Sequence, residues 1–118
     1  MNSEQLSKII IAGMEEKKAS DIVLMDLREV KGSVSDFFII CSGTSDTQIQ
    51  AIAESIEEEV EKDAGENPWR KEGFTNREWV LIDYVNVVAH IFRKDKRDFY
   101  ALEELWGDAK TTSIAQSA

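Results

Sequence analysis

The sequence predicts a single α/β domain in which helices pack against a mixed β-sheet. Long segments repeat apolar residues at the 3.6-residue helical period, and short segments between and after them have the composition of β-strands. The length of 118 residues suits one domain with one hydrophobic core. The predicted order is therefore helix, two strands, helix, weak strand, hairpin and helix, with no internal repeat.

The first part of the chain predicts a helix and then two strands. Residues 4–18 carry apolar side chains at helical spacing and charged side chains between them, which is typical of an amphipathic helix. The apolar block 22–27 predicts a short buried strand that ends before the turn residues 31–33. Residues 37–41 are apolar at every position, which predicts a central strand covered on both faces.

The second helix is predicted to begin at Ser45 and to end at Gly65. Gln48 follows Ser45 by three residues, which is the spacing of a capping box. Apolar residues then recur at the helical period as far as Asp63, and glutamates occupy the other face. Such glutamates usually form a solvated helix face, so they favour solubility over a docking role.

The rest of the chain predicts a hairpin and a third helix. Residues 65–77 contain the one proline and form an irregular connection that can hold a short strand. Residues 79–83 and 87–92 flank a short turn and predict a tight antiparallel hairpin. A short helix is predicted at 99–106. Residues 110–118 are expected to form a flexible tail, which leaves a domain of residues 1–109.

Charge and cysteine content restrict the partners and the compartment. The 14 basic and 23 acidic residues give a net charge of −9, which repels phosphate backbones. We therefore expect no direct sequence-specific binding of nucleic acid and favour a basic protein partner, although acidity can also serve solubility alone. The one cysteine, Cys41, excludes a disulfide within the chain. With no visible export signal or membrane span, a cytoplasmic protein is expected.

The residues with catalytic potential do not form a recognisable active site, so we expect no enzyme and no cofactor. The sole histidine, His90, lies within a predicted strand, which favours a packed side chain over a catalytic base. One histidine and one cysteine cannot supply a closed tetrahedral metal site. The turn at Gly43 precedes a helix N-terminus that could bind an anion, but it lacks the glycine patterns of phosphate-binding loops. A nucleotide-handling enzyme at this turn remains an alternative.

The hairpin carries residue types that are common in protein interfaces. Trp79, Leu81 and Asp83 alternate onto one face of their strand, and Tyr84 follows them. These residues can equally belong to the core. A homo-oligomeric structural module that associates through the hairpin edge is the second alternative.

The chain resembles the ribosomal silencing factor family, also called the Iojap-like family, over residues 4–109. Four segments carry the resemblance, in the order and spacing of the family: 35–45, 79–84, 87–92 and 97–106. The hairpin turn departs from the family pattern. The family has a glycine and an acidic residue after its Asp-Tyr pair, whereas this chain has Val85 and Asn86.

The resemblance implies a nucleotidyltransferase-like fold without transferase activity. It also implies binding to the large ribosomal subunit through the ribosomal protein uL14, which would block joining of the small subunit and repress translation when nutrients are short. A role in large-subunit maturation and a homodimer in the free state are further implications.

By position, the resemblance assigns a set of residues to the docking face. These residues are Trp79, Leu81, Asp83 and Tyr84, with Asp36 and Asn86 as neighbours. Truncation of Trp79 or Tyr84 to alanine is expected to cost on the order of 2 kcal/mol of binding if they are central anchors.

Overall fold

The computed structural model describes residues 2–97, 107 and 109–114. Within these residues the elements are α1 (Ser3–Glu16), β1 (Ser20–Asp26), β2 (Phe37–Gly43), α2 (Asp46–Ala64), β3 (Arg70–Glu72), β4 (Trp79–Asp83), β5 (Val87–Arg93) and β6 (Lys110–Ser113). A short 3₁₀ helix, Lys94–Lys96, follows β5. The third helix predicted at 99–106 lies outside the described residues.

The strands form one sheet in the order β3-β4-β5-β2-β1-β6. β2 and β5 pair in parallel, and the other neighbours pair antiparallel. The predicted α/β class with a mixed sheet is therefore confirmed, and β3 confirms the weak strand expected between residues 65 and 77. β2 lies inside the sheet, and its predicted burial is confirmed for Phe37, Ile39, Ile40 and Cys41.

Helix α2 begins and ends where the sequence predicts. The Ser45 hydroxyl accepts a hydrogen bond from the N–H of Gln48 at 3.1 Å. The side chain of Gln48 does not return to the Ser45 backbone as in a full capping box, because its Oε1 accepts from the N–H of Thr44 at 2.8 Å. Gly65 ends the helix with a left-handed φ of 66°.

The two described helices cross closely at Gly13. A Cβ atom at this position would lie 2.9 Å from the Cα of Ile56, so only glycine lets the backbones approach this far. The Ser55 hydroxyl donates to the Gly13 carbonyl at 2.8 Å and fixes the contact. Neither of these helices is long and apolar enough to span a membrane.

Both helices pack on one side of the sheet, which we call the inner face. The main core lies there and includes Ile10, Met14, Ile39, Ile49, Ile52, Ile56, Ile82, Ala89 and Ile91. The opposite side, the outer face, carries a smaller cluster. This cluster consists of Met25, Ile40 and Phe92, with Val23, Phe38, Trp79 and Ala109 packed against them.

The expected flexible tail from residue 110 is wrong for Lys110–Ser113, which form β6 beside β1. Pairing extends beyond the strand, because the N–H of Ile114 donates to the carbonyl of Ile22 at 2.9 Å. The side chains of β6 are all exposed. Because none of these side chains is buried, the sequence of β6 has no apolar alternation that would predict a strand; its hydrogen bonds to β1 and an ion pair between Lys110 and Glu29 at 3.0 Å hold it. Residues 115–118 lie outside the described part of the chain.

The predicted hairpin is confirmed, with Asp83 opposite Val88 as the last antiparallel pair. The N–H of Asn86 donates to the carbonyl of Tyr84 at 3.0 Å, which closes a three-residue turn around Val85. Val85 has a φ of 76°, a region that β-branched residues rarely adopt. The turn is therefore tight and strained.

Candidate functional site

Strand β4 places three of the six predicted docking residues on the outer face. Val80 and Ile82 are fully buried on the inner face, so Trp79, Leu81 and Asp83 point the other way, as the alternation predicts. Trp79 and Leu81 are half-buried, whereas Asp83 is buried. The outer face of β4 thus offers partly accessible aromatic and aliphatic surface on a rigid strand.

Trp79 is held by the neighbouring strand β5. Its indole N–H donates to Nδ1 of His90 at 3.0 Å, and its ring stacks on Phe92 with the centroids 5.2 Å apart. The edge of Phe38 meets the His90 ring, with a centroid distance of 4.6 Å. These four aromatic rings form a continuous layer on the outer face, which we call the aromatic layer (Phe38, Trp79, His90 and Phe92).

His90 is a packed, neutral side chain, in agreement with the sequence interpretation. It is 3% exposed, and burial lowers its pKa to about 3. Because Nδ1 accepts the hydrogen bond from Trp79, the ring proton must be on Nε2. The Nε2 atom is buried and has no hydrogen-bond partner within the described residues. His90 therefore orients Trp79 within the aromatic layer.

Asp83 organises the turn at the end of β4. Its Oδ1 accepts from the N–H of Val85 at 2.7 Å, and its Oδ2 accepts from Nε of Arg70 at 3.2 Å. Both carboxylate oxygens are therefore engaged within the chain. Asp83 fixes the hairpin turn and attaches β3 to it.

Tyr84 lies apart from the other docking residues, because its side chain belongs to the inner-face core. It is 6% exposed, and its hydroxyl is buried without a hydrogen-bond partner among the described residues. Burial raises the pKa of this hydroxyl, and the negative charges of Glu57 and Glu66 add to the effect. In this conformation Tyr84 contributes to stability and offers little surface to a partner.

Asp36 and Asn86 meet at the rim of the sheet where the hairpin turns. The carbonyl of Asn86 accepts from the N–H groups of Asp36 and Phe37, at 2.7 and 3.2 Å. The Asp36 carboxylate accepts from the Ser3 hydroxyl at 2.8 Å. The structure thus separates the six predicted residues into an outer-face group, a rim pair and one core residue.

Strand β3 adds two residues to the candidate site, Arg70 and Glu72, that the sequence did not indicate. Arg70 pairs with Asp83 and Glu72 pairs with Leu81 across the β3–β4 ladder, so both side chains border the outer face. They also form an ion pair with each other at 3.5 Å. An Arg-Lys-Glu strand has no apolar alternation, so nothing in the sequence indicates which residues of β4 these two side chains lie beside.

The Gly43 turn uses its polar groups internally. The N–H and the hydroxyl of Thr44 both donate to Oε1 of Gln48, while the N–H of Gln48 donates to Ser45. An anion at this helix N-terminus would compete with these bonds. Within the described part of the chain, no three His, Cys, Asp or Glu residues lie together as a metal site would require.

Comparisons with known proteins agree over the whole chain. A family model described as "Ribosomal silencing factor during starvation" matches residues 1–118. A ribosomal silencing factor of Bacillus subtilis is 43% identical over 114 residues, which cover 97% of this chain and 95% of that protein. A crystal structure of a protein from Chromobacterium violaceum has 33% identity and a TM-score of 0.84, and the match covers 100% of this chain and 97% of that one.

A more distant relative comes from mouse and is named "Mitochondrial assembly of ribosomal large subunit protein 1". It is 25% identical over 100 residues, which cover 83% of this chain and 43% of that protein.

Proposed function

This chain belongs to the ribosomal silencing factor family, whose members are ribosome-associated regulators of translation, and from this premise we propose that it binds the large ribosomal subunit through uL14. Binding there blocks joining of the small subunit and represses translation during nutrient limitation. The mechanism is steric, so no covalent bond is made or broken. The name of the mouse relative, which refers to assembly of the large subunit, supports the same subunit as the target.

The aromatic layer is the observation that carries this proposal. Trp79 is half-buried and is held in place by His90 and Phe92, so little side-chain freedom remains to be lost on binding. Rigid, partly exposed aromatic side chains of this kind are the common anchors of protein interfaces. Leu81 lies beside Trp79 on the same face and extends the apolar contact surface.

The net charge supports a basic ribosomal protein as the direct contact. A charge of −9 attracts a basic surface and speeds the encounter with it, whereas it repels the exposed phosphates of rRNA. Complementary charge therefore favours docking on a protein of the subunit over docking on its RNA. The same charge makes the association weaker as salt concentration increases.

Co-sedimentation with separated ribosomal subunits tests the proposal. The purified protein is expected to migrate with the large subunit alone, and Trp79→Ala and Leu81→Ala variants are expected to lose this migration. Circular dichroism must show that both variants are folded, and Glu58→Ala on the exposed side of α2 serves as the control. Lack of migration with the large subunit at physiological salt would contradict the proposal.

A second assay tests the silencing step. Adding the protein to separated large and small subunits should reduce the fraction that joins, and adding it to ribosomes that are already joined should have less effect. We further propose that the protein acts in the cytoplasm and is a homodimer when free, which light scattering of the free protein can test.

A further inference from the structure

Three large hydrophobic side chains are exposed in the described part of the chain, and all three lie at one end of the sheet. They are Val34, Trp69 and Val85, with exposed fractions of 93%, 69% and 52%. We call this set the apolar rim. None of the three was singled out as a docking residue by the sequence, and none belongs to the aromatic layer.

Hydrogen bonds through Asp83 and Ser35 bring the apolar rim together. The carbonyl of Asp83 accepts from the N–H of Trp69 at 2.7 Å, and its carboxylate accepts from the N–H of Val85 at 2.7 Å. The hydroxyl of Ser35, next to Val34, donates to the carbonyl of Val85 at 2.9 Å. The backbone of Trp69 and of Val85 is therefore fixed at the hairpin turn, and Val34 is next in sequence to a residue bonded to the same turn.

The side chain of Trp69 is also held in place by a neighbouring residue. The guanidinium of Arg70 lies over the indole ring, 5.4 Å from its centroid, and Arg70 is itself paired with Asp83 and Glu72. This arrangement keeps a large aromatic ring in the solvent in a defined position. Tryptophan is among the residue types most enriched in the hot spots of protein interfaces.

We infer that the apolar rim is a second contact of the docking surface, with Trp69 as its anchor, and that it receives lysine or arginine side chains of the ribosomal protein. This inference rests on the proposed function. The aliphatic stems of such side chains would pack on the valines, and a cationic group would face the open side of the indole ring.

The charge of the chain favours basic side chains of the ribosomal protein as the group that binds the apolar rim. Glu66, three residues before Trp69, is exposed, and Asp36, two residues after Val34, is half-buried with one carboxylate oxygen bonded to the Ser3 hydroxyl, so this end of the sheet carries negative charge that a basic partner can meet. The net charge of −9 repels an anionic membrane or RNA, whereas it attracts a basic protein surface.

The test is a titration of purified large ribosomal subunits with wild-type protein and variants, with affinity measured by co-sedimentation. Trp69→Ala is expected to weaken binding by about tenfold or more, and Trp69→Phe, which retains an aromatic ring, by less than about threefold. Val34→Ser, at the most exposed position of the rim, is a second variant that cannot disturb the core. Thr112→Ala, exposed on β6 at the other edge of the sheet, is the control and should bind like the wild type.

The outcomes separate this inference from the proposed function. If Trp69→Ala and Val34→Ser both bind with wild-type affinity while Trp79→Ala loses binding, the apolar rim is not part of the docking surface and the proposed function still holds. Unchanged ribosome affinity with a shifted monomer–dimer equilibrium in sedimentation would overturn it in favour of a contact between copies. A wild-type protein that does not bind large subunits would overturn both.

Discussion

The indole N–H of Trp79 donates to Nδ1 of His90 across the β4–β5 pair, and this bond determines the tautomer of His90 and the orientation of Trp79. It leaves His90 with its proton on Nε2 and holds the Trp79 ring against Phe92. The two residues form the polar centre of an otherwise apolar layer. Their contribution to stability and to binding can be separated by substitution.

Replacing Trp79 with phenylalanine should destabilise the protein by about 1–3 kcal/mol, because Nδ1 of His90 is then buried without a donor. Urea unfolding followed by circular dichroism measures the change. Trp69→Phe makes the same substitution at an exposed tryptophan and should change the free energy of unfolding by less than about 0.5 kcal/mol. Equal stability of the two variants would show that the hydrogen bond contributes nothing net.

Acid should destabilise the protein through His90. Burial lowers the pKa of His90 from 6.5 to about 3, so the unfolded chain binds a proton between these pH values while the folded chain does not. Stability is therefore lost as pH falls below about 6.5, at up to about 1.4 kcal/mol per pH unit from this group. His90→Phe, which cannot titrate, should show a shallower decline. Parallel curves from urea unfolding between pH 7 and pH 4.5 would refute this assignment.

Replacing Val85 with glycine should stabilise the protein by roughly 1 kcal/mol. Val85 has a φ of 76°, and glycine adopts this conformation without the strain that a β-branched side chain imposes. The same replacement at Val34, which does not have a positive φ, should be neutral or destabilising, because glycine increases the entropy of the unfolded chain. Thermal unfolding of the two variants beside the wild type gives the comparison, and a loss of stability in Val85→Gly would contradict the argument.

Two glycines with nearly the same φ should respond very differently to alanine. Gly73 has a φ of 89°, and a Cβ atom there would lie 2.0 Å from the carbonyl oxygen of Trp79. Gly32 has a φ of 88° and open space around it. Gly32→Ala should cost about 1 kcal/mol for its backbone conformation, whereas Gly73→Ala should cost several times as much, because β4 must also shift. Urea unfolding measures both, and similar losses would show that the loop relaxes freely.

The elements that bury apolar side chains could be predicted from the sequence, whereas the exposed edge strand β6 could not. The continuous apolar run at Phe37 correctly predicted the central strand, and Gly65 correctly predicted the end of α2. In contrast, β6 was expected to be a flexible tail, because its four side chains are exposed and leave no apolar pattern in the sequence.

Only part of the candidate site could be predicted from the sequence. Alternation along β4 correctly placed Trp79 and Leu81 on one face, since a single strand carries that information by itself. Continued by one residue, the same alternation puts Tyr84 on the face of Val80 and Ile82, where the structure places it in the core, so only the resemblance had grouped it with the docking residues. Alternation within one strand also cannot predict that Arg70 lies next to Asp83, because this contact depends on the pairing of β3 with β4. The assignment of these residues to a docking face remains a prediction.

The parallel pairing of β2 and β5 places Phe37 beside Val87, so the two middle strands meet only after α2, β3 and β4 have been traversed along the chain. Contacts between such distant segments form late, because the intervening loop must close before they stabilise anything. Phe38 reaches the aromatic layer from β2, whereas His90 and Phe92 reach it from β5. A fragment that lacks either of these strands therefore cannot display the layer, and a nascent chain could present the proposed docking face only after β5 has been synthesised.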